Sequence, residues 1–166
     1  MVSIEEVKDS ALATLARETG HSIEEWLSYT TRELPETVRL NPLRVDVEDS
    51  RTMLESMGAE PIPWFSGGSA FTMPWSRGSI PKEHEQLYIA LHDTGRTTRQ
   101  EAVSMLPVIC LAPEQGERIL DLCAAPGSKT TQLGESMCDT GVLVANDVSS
   151  SRLNTLVSNR GRTGLS

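Results

Sequence analysis

The sequence predicts an α/β protein in which a Rossmann-like unit follows a small α+β module. The main observation is the order of elements after residue 117. Residues 118–123 and 142–145 are short apolar runs, typical of parallel strands buried in a sheet. A pattern of helical spacing follows each run, beginning near residue 128 and at Ser149. This β-α-β-α order predicts a parallel sheet whose strands are connected by helices.

The N-terminal residues predict two helices. Residues 3–6 and 22–25 both have the sequence SIEE, a capping box, and apolar residues at helical spacing follow each of them. Gly20 is predicted to end the first helix and Pro35 the second. Together they predict an αα-hairpin, and we find no catalytic signal in it.

The next segment predicts mixed structure. Residues 36–47 alternate in a way that favours an extended chain, and Asp49 is predicted to cap a short helix that ends at Gly58. Residues 61–75 are rich in proline, glycine and aromatic residues, which indicates strands separated by loops. These pieces predict a small α+β module.

Two further helices are predicted before the Rossmann-like unit, over residues 82–93 and 98–111. The second has a wide apolar face, and Pro107 must kink or interrupt it. We place the domain boundary before these helices. The prediction is an N-terminal helical and α+β module at residues 1–78 and a second domain at residues 79–166.

The charge distribution argues against binding nucleic acid by bulk electrostatics. The net charge is −8. Residues 1–60 hold thirteen acidic and six basic residues, whereas residues 61–166 hold ten acidic and nine basic ones. A polyanion would therefore meet local patches in the second half. The candidate cations are Arg96, Arg99, Arg152, Arg160 and Arg162, and a solvated surface charge is the favoured interpretation for any single one of them.

Composition also predicts the compartment and the state of the thiols. The sequence lacks an apolar run long enough for a membrane span and lacks a secretion signal at its start, so we expect a cytoplasmic protein. Its three cysteines, Cys110, Cys123 and Cys138, show no C-x-x-C spacing and do not cluster with the histidines. We therefore predict free thiols and no metal site.

The connection between the first apolar run and its helix is the candidate binding site. Residues 124–130, AAPGSKT, are mostly small, which lets a ligand approach the backbone closely. The following helix directs free N–H groups and its dipole at an anion. Asp147 follows the second run, 20 residues after Gly127, where a carboxylate can accept hydrogen bonds from two ribose hydroxyls. These features predict a ligand with a ribose and a carboxylate or phosphate.

Two other types of nucleotide site share part of this pattern. The GSKT sequence at residues 127–130 is similar to a P-loop, which requires G-x-x-x-x-G-K-[ST]. Here Ser128 separates Gly127 from Lys129, and no glycine lies between Gly116 and Gly127, so an ATPase is the less favoured alternative. The dinucleotide fingerprint G-x-G-x-x-G is also missing. S-adenosyl-L-methionine, which has a methionine carboxylate and a ribose, suits both features better.

These residues resemble a known family. The sequence DLCAAPGSKT at residues 121–130 resembles the S-adenosylmethionine motif of the RsmB/Nop/Sun-type RNA (cytosine-5) methyltransferases. The sequence RQEAVSMLP at residues 99–107 is similar to the helix that precedes this motif, particularly in the tRNA-methylating branch. VAND at residues 144–147 is similar to the family's second acidic motif, and LP at residues 34–35 with VRLN at 38–41 to its upstream extended segment. The resemblance spans roughly residues 34–160.

The resemblance implies an S-adenosyl-L-methionine cofactor and an RNA substrate, tRNA or rRNA, methylated to 5-methylcytosine. Asp147 would hold the ribose of the cofactor. The residues that would surround its methionine part are Cys123, Ala124, Ala125, Pro126, Gly127, Ser128 and Lys129. The α+β module is expected to be RRM-like and to help position RNA. Arg96, Arg99 and Arg160 are the candidate arginines for contacting it, although no spacing requires this role.

The sequence departs from the family in its catalytic residues. Family members add a cysteine thiolate to carbon 6 of cytosine. The cysteines of that reaction lie in D-x-P-C and T-C-S motifs, and neither motif occurs in these 166 residues. We therefore assign no catalytic residue and expect an N-terminal portion with an incomplete Rossmann-like methyltransferase fold, inactive and poorly stable alone. The alternative is a non-catalytic RNA- or partner-binding protein that retains half of such a fold.

Overall fold

The computed structural model describes residues 4–166. By their internal contacts the residues divide into two compact units, one that ends at Leu34 and one that spans Pro35–Ser166. The boundary after residue 78, expected from the sequence, stays a prediction. In the structure the chain crosses that position inside the larger unit.

The first unit contains helices α1 (Ile4–Val7), α2 (Ala11–Thr19) and α3 (Ile23–Thr30). Ser10 and Ser22 cap α2 and α3, since their hydroxyls accept the backbone N–H groups of Ala13 and Glu25. Gly20 ends α2 in the left-handed conformation, as predicted. The predicted single helix is divided at Ser10, because a serine there starts a new helix. The predicted cap Ser3 lies outside the described residues.

A four-stranded antiparallel sheet is the centre of the second unit. Its elements, in chain order, are β1 (Pro35–Leu40), α4 (Val47–Ser56), β2 (Glu60–Pro61), β3 (Ala70–Ser76), α5 (Lys82–Asp93) and β4 (Thr97–Arg99). The strand order is β2-β3-β1-β4. The extended segment predicted to residue 47 ends at Leu40, because the Asn41 side chain accepts the N–H of Leu43 and turns the chain.

Both faces of this sheet are covered. Val38 and Phe71, which are cross-strand partners, pack on one face with residues of α4 and α5 such as Leu54 and Tyr88. The neighbouring partners Arg39 and Ala70 lie on the opposite face.

The opposite face is covered by helix α6 (Ala102–Leu111). Its Met105 packs against Ala70. The helix predicted from residue 98 begins four residues later, because residues 97–99 pair with β1 as strand β4. Pro107 lies inside α6. The tertiary pairing therefore overrides a pattern that is locally helical.

The rest of the unit is the predicted β-α-β-α segment. It consists of β5 (Arg118–Asp121), α7 (Ser128–Ser136), β6 (Val142–Ala145) and α8 (Ser150–Thr163), and the two strands are parallel. The predicted burial of these strands is wrong: Leu120 is 58% and Val144 52% exposed, because each side of the strand pair carries apolar residues and helices cover only one side. The predicted helix end at Gly161 is also wrong, since α8 continues to Gly164, which has a left-handed conformation.

Candidate cofactor site

The candidate site lies where β5 and β6 end. The two strands are parallel and in register, with Asp121 opposite Ala145, so their carboxyl ends lie at one edge. Ligands of open α/β sheets bind at this edge. The pairing continues beyond the strands, because Ala124 donates its N–H to the carbonyl of Asn146 at 2.8 Å. The turn of residues 122–127 is thereby held beside the segment that contains Asp147.

Asp121 fixes the inside of the turn. One carboxylate oxygen accepts the hydroxyl of Thr130 at 2.7 Å, and the other accepts the N–H of Cys123 at 3.3 Å. Sequence reasoning missed this residue. Its position at the last residue of a strand, immediately before a turn of small residues, is the signal that could have identified it. Asp121 connects the strand, the turn and the first turn of α7.

Asp147 is brought directly against the turn. Its Oδ2 atom accepts the N–H of Ala125 at 3.1 Å, and its Oδ1 atom accepts the N–H of Ser149 at 2.9 Å. The side chain is 2% exposed. Because a carboxylate has about four acceptor positions, each oxygen retains capacity for a ligand hydroxyl.

The same contacts keep Asp147 ionised. The bond from Ser149 lowers its pKa below the usual value, and the bond from Ala125 and the charge of Arg152 act in the same direction, while burial opposes them. A carboxylate in this state accepts hydrogen bonds at neutral pH. That is the role which a ribose diol requires.

The turn itself is compact. Gly127 has φ of +107°, a left-handed value, and a Cβ at that position would lie 3.4 Å from Cγ of Leu156 in α8. Asn159 of α8 donates its amide to the carbonyl of Pro126 at 2.8 Å, and the Ala125–Pro126 peptide bond is cis. The turn is therefore fixed from its far side by α8 as well as by Asp147.

The predicted site residues differ in exposure. Ala124, Ala125 and Gly127 are buried, and Ser128 is the half-buried first residue of α7. Cys123, Pro126 and Lys129 are exposed. The first N–H groups of a helix have no partner within the helix, so the start of α7 offers donors to an anion.

Arg152 is a second residue at the site that sequence reasoning did not place there. It lies in the first turn of α8, with Nη1 3.7 Å from Oδ2 of Asp147, and its Nη2 donates to the carbonyl of Ala125. From the sequence alone, Arg152 is one of several candidate cations on the surface. The structure places it over the carboxylate instead, where it bridges Asp147 and the turn.

Two of the arginines expected to contact RNA are engaged within the chain. Arg99 makes a bidentate ion pair with Glu36, with both nitrogen–oxygen distances at 2.8 Å. Arg96 pairs with Asp46 at 2.5 Å. Their charges are therefore compensated locally.

The three cysteines are free and exposed. Residues 4–166 contain no group of three or more histidine, cysteine or acidic side chains arranged to hold a metal ion. In the same part of the chain no helix has the length and apolarity that crossing a membrane requires.

The sequence of the site region matches a family model. Residues 108–166 match the family described as 16S rRNA methyltransferase RsmB/F. The resemblance expected from the sequence is thereby confirmed. The matched range contains the whole β-α-β-α segment and both halves of the candidate site.

Curated relatives agree with this assignment. The chain is 36% identical over 145 residues to a tRNA (cytosine(49)-C(5))-methyltransferase of Pyrococcus abyssi, which covers 86% of this chain and 44% of that protein. It is 38% identical over 152 residues to ribosomal RNA small subunit methyltransferase F of Shewanella loihica, covering 87% and 30%. The chain thus spans less than half the length of these relatives.

Solved structures share the fold. A methyltransferase homolog protein from Pyrococcus horikoshii superimposes with a TM-score of 0.67 at 28% identity, covering 95% of this chain and 54% of that one. NSun6 from the same organism, solved with the S-adenosylmethionine analogue SFG, gives a TM-score of 0.73 at 16% identity, covering 95% and 63%. The α/β fold of methyltransferase structures is therefore confirmed, whereas an RRM-like first module stays a prediction.

Proposed function

We propose that this chain carries the S-adenosyl-L-methionine site of an RNA (cytosine-5) methyltransferase acting on tRNA or rRNA. The observation that supports this most directly is the joining of the turn to the strand end: Ala125 donates its N–H to Asp147. An anion-accepting turn and a ribose-accepting carboxylate are thus neighbours in one site. The similarity to named RNA methyltransferases supports the substrate class, and the use of S-adenosylmethionine by methyltransferases of this type supports the cofactor.

The residues present fit this cofactor. Cys123 to Lys129 would surround its methionine part, with the N–H groups at the start of α7 toward the carboxylate. Asp147 would accept the ribose hydroxyls with the lone pairs that Ala125 and Ser149 leave free. When bound, the sulfonium group would supply an electrophilic methyl group. The work of this chain is to bind and orient that donor.

Our proposal assigns no catalytic residue to these 166 residues, because the D-x-P-C and T-C-S motifs do not occur among them. Transfer to carbon 5 of cytosine requires a thiolate that adds to carbon 6. Cys123 is a free, exposed thiol that borders the cofactor turn, and it lies in neither of these two motifs. The activity therefore belongs to the proposed enzyme as a whole. We propose a cytoplasmic location for it.

We also propose that residues 35–99 form an RRM-like module. The chain path β-α-β-β-α-β and the strand order β2-β3-β1-β4 support this. A free RRM binds RNA by stacking bases on the sheet face away from its helices. In this chain α6 packs on that face through Met105 and Ala70. An RNA contact of the module would therefore use its loops or edges.

Isothermal titration with S-adenosylmethionine tests the cofactor assignment. We expect one cofactor to bind per chain and the Asp147→Ala variant to lose that binding. Asp49→Ala, which removes an exposed acidic side chain in α4, is the matched control and should bind as the unmodified chain does. Absence of binding, or binding that Asp147→Ala leaves unchanged, would contradict the proposal.

A second function remains compatible with the sequence: a non-catalytic RNA- or partner-binding protein that retains the cofactor fold. The same protein titrated with unmodified tRNA separates the two. Binding of tRNA without any binding of S-adenosylmethionine would favour the non-catalytic protein.

A further inference from the structure

A buried arginine connects the antiparallel sheet to the cofactor helix. Arg39 is the penultimate residue of β1 and lies opposite Ala70 of β3 and Thr98 of β4. Its side chain is only 3% exposed and extends from the sheet face on which α6 packs. A buried guanidinium needs partners for its five N–H donors, so its contacts define where the neighbouring elements can lie.

Most of those contacts are with α7. Nη1 is ion-paired with Glu135, and Nη2 lies 3.3 Å from the hydroxyl of Thr131 and 3.5 Å from the carbonyl of Ser128. Nε donates to Oε1 of Gln100 at 3.0 Å. One side chain therefore contacts the first residue of α7, its first turn and its last turn.

The partners of Arg39 are buried as well. Glu135 is 2% exposed, Arg39 is its ion-pair partner, and its Oε1 atom has no hydrogen-bond partner within residues 4–166. Gln100 also donates to Gln132 at 2.8 Å, and Gln132 donates to the carbonyl of Met105 at 3.2 Å. A displacement of α7 would break several of these bonds between buried polar groups, and a buried polar group left without a partner is costly.

The position of α7 matters for the cofactor because the turn leads directly into it. Ser128, whose carbonyl Arg39 contacts, follows Gly127, and the N–H groups at this end of the helix are the proposed donors to the cofactor carboxylate. Asp147 is held from the other strand and does not depend on α7 in the same way. A shift of the helix would alter the turn more than the ribose acceptor.

We propose that Arg39 is a positioning residue for the methyl donor: through Glu135, Thr131 and Ser128 it fixes the start of α7 and so sets the affinity for the methionine part, without touching the cofactor. The proposal rests on the function proposed above. It makes the N-terminal sheet part of the cofactor site rather than a separate attachment.

The test compares two glutamates that pair with arginines on opposite faces of β1. Glu135→Gln removes the charge that faces Arg39 and keeps the side-chain shape. Glu36→Gln does the same for Arg99 on the other face and is the matched control. Each variant is titrated with S-adenosylmethionine and with 5′-methylthioadenosine, which has the nucleoside but no methionine carboxylate, below its melting temperature.

We expect Glu135→Gln to weaken S-adenosylmethionine binding about tenfold and to leave methylthioadenosine binding within about twofold. Glu36→Gln should change neither affinity, although it too lowers the melting temperature. Arg39→Met combined with Glu135→Met is the second variant: an apolar pair can keep the fold stable. It should show the same selective loss of affinity.

Three outcomes would contradict the proposal. Unchanged S-adenosylmethionine affinity in both Arg39-pair variants would show that the pair does not position the turn. Equal weakening of the two ligands would indicate a general structural role. If the unmodified chain binds neither methylthioadenosine nor S-adenosylmethionine, the proposed function fails, and the role of Arg39 fails with it.

Discussion

The backbone N–H of Ala125 lies 3.1 Å from the Oδ2 atom of Asp147 and donates a hydrogen bond to it. Ala125 belongs to the turn after β5, and Asp147 follows β6 by two residues. This bond joins two segments that are separated in sequence but adjacent at the carboxyl edge of a parallel sheet. It holds the proposed carboxylate-binding and ribose-binding groups at a fixed separation before any ligand arrives.

Gly127→Ala should destabilise the chain and weaken cofactor binding. An L-residue at φ of +107° costs about 1–2 kcal/mol, and the new Cβ would press on Leu156 at 3.4 Å. Urea unfolding measures the first effect and titration with S-adenosylmethionine the second. Gly161→Ala is the control: this glycine lies inside α8 with open space around it, so alanine should stabilise by about 0.5–1 kcal/mol. Equal effects of the two substitutions would refute the expectation.

Thr130→Val should lower the free energy of unfolding and weaken cofactor binding, because it removes a hydrogen bond inside the turn. The variant keeps the shape of the side chain but loses the hydroxyl that donates to Asp121 at 2.7 Å. Loss of a hydrogen bond to a charged group costs about 1.5–3 kcal/mol. Thr130→Ser retains the hydroxyl and should recover most of the unfolding free energy and of the cofactor affinity. If the serine variant is as impaired as the valine variant, the methyl group and not the hydrogen bond is what matters.

Gly95→Ala should separate a steric effect from backbone strain. Gly95 and Gly78 both have positive φ, +70° and +84°, so alanine is strained at either position. At Gly95 the added Cβ would also overlap the backbone carbonyl of Arg162 in α8, whereas at Gly78 it would meet nothing within 4 Å. We expect Gly78→Ala to cost about 1–2 kcal/mol in urea unfolding and Gly95→Ala distinctly more. Similar losses would show that α8 moves aside freely.

His92 should make stability depend on pH. Burial lowers its pKa, and the charges of Arg162 and Arg99 add to that effect, against the opposing charges of Asp93 and Glu36. The folded state therefore resists protonation, while the unfolded chain takes up a proton below a pH of about 6.5. The contribution of His92 to the free energy of unfolding should be fully present above that value. It should fall as the pH drops toward the folded-state pKa, by at most about 1.4 kcal/mol per pH unit.

The measurement for His92 is urea unfolding between pH 7.5 and 5.5. The unmodified chain is compared with His92→Gln, which cannot titrate in this range. We expect the variant to lose part of the slope that the unmodified chain shows. Identical slopes would mean that His92 takes up protons equally in the folded and unfolded states.

Local signals predicted several elements correctly. Ser22 and Gly20 act as the cap and the stop that their residue types indicate, because capping depends on a few neighbouring backbone groups. The parallel order of β5 and β6 was also predictable, since short apolar runs separated by a helix have few other arrangements. Turn composition and the spacing to Asp147 are local signals too, and the cofactor site that they indicate stays a prediction.

Other features depended on distant partners. Residues 98 and 99 belong to a predicted helix, and they become part of strand β4 because β1 offers an unpaired edge. Arg99 and Arg96 were expected to face RNA, but Glu36 and Asp46 lie within reach only after the chain folds. Their pairing cannot be seen in a sequence, since it depends on the contacts between segments far apart along the chain.

The amino-acid sequence by itself determined the β-α-β-α order, the small-residue turn and the acidic residue that follows the second strand. These depend on spacing, on side-chain size and on backbone freedom, all of which are local properties. Only the tertiary structure decided that Asp121 and Arg152 belong to the site and that Arg39 is buried against α7. The reason is physical: a buried charged group must be paired, and its partner is a residue that packing places beside it, which can be far away in the chain.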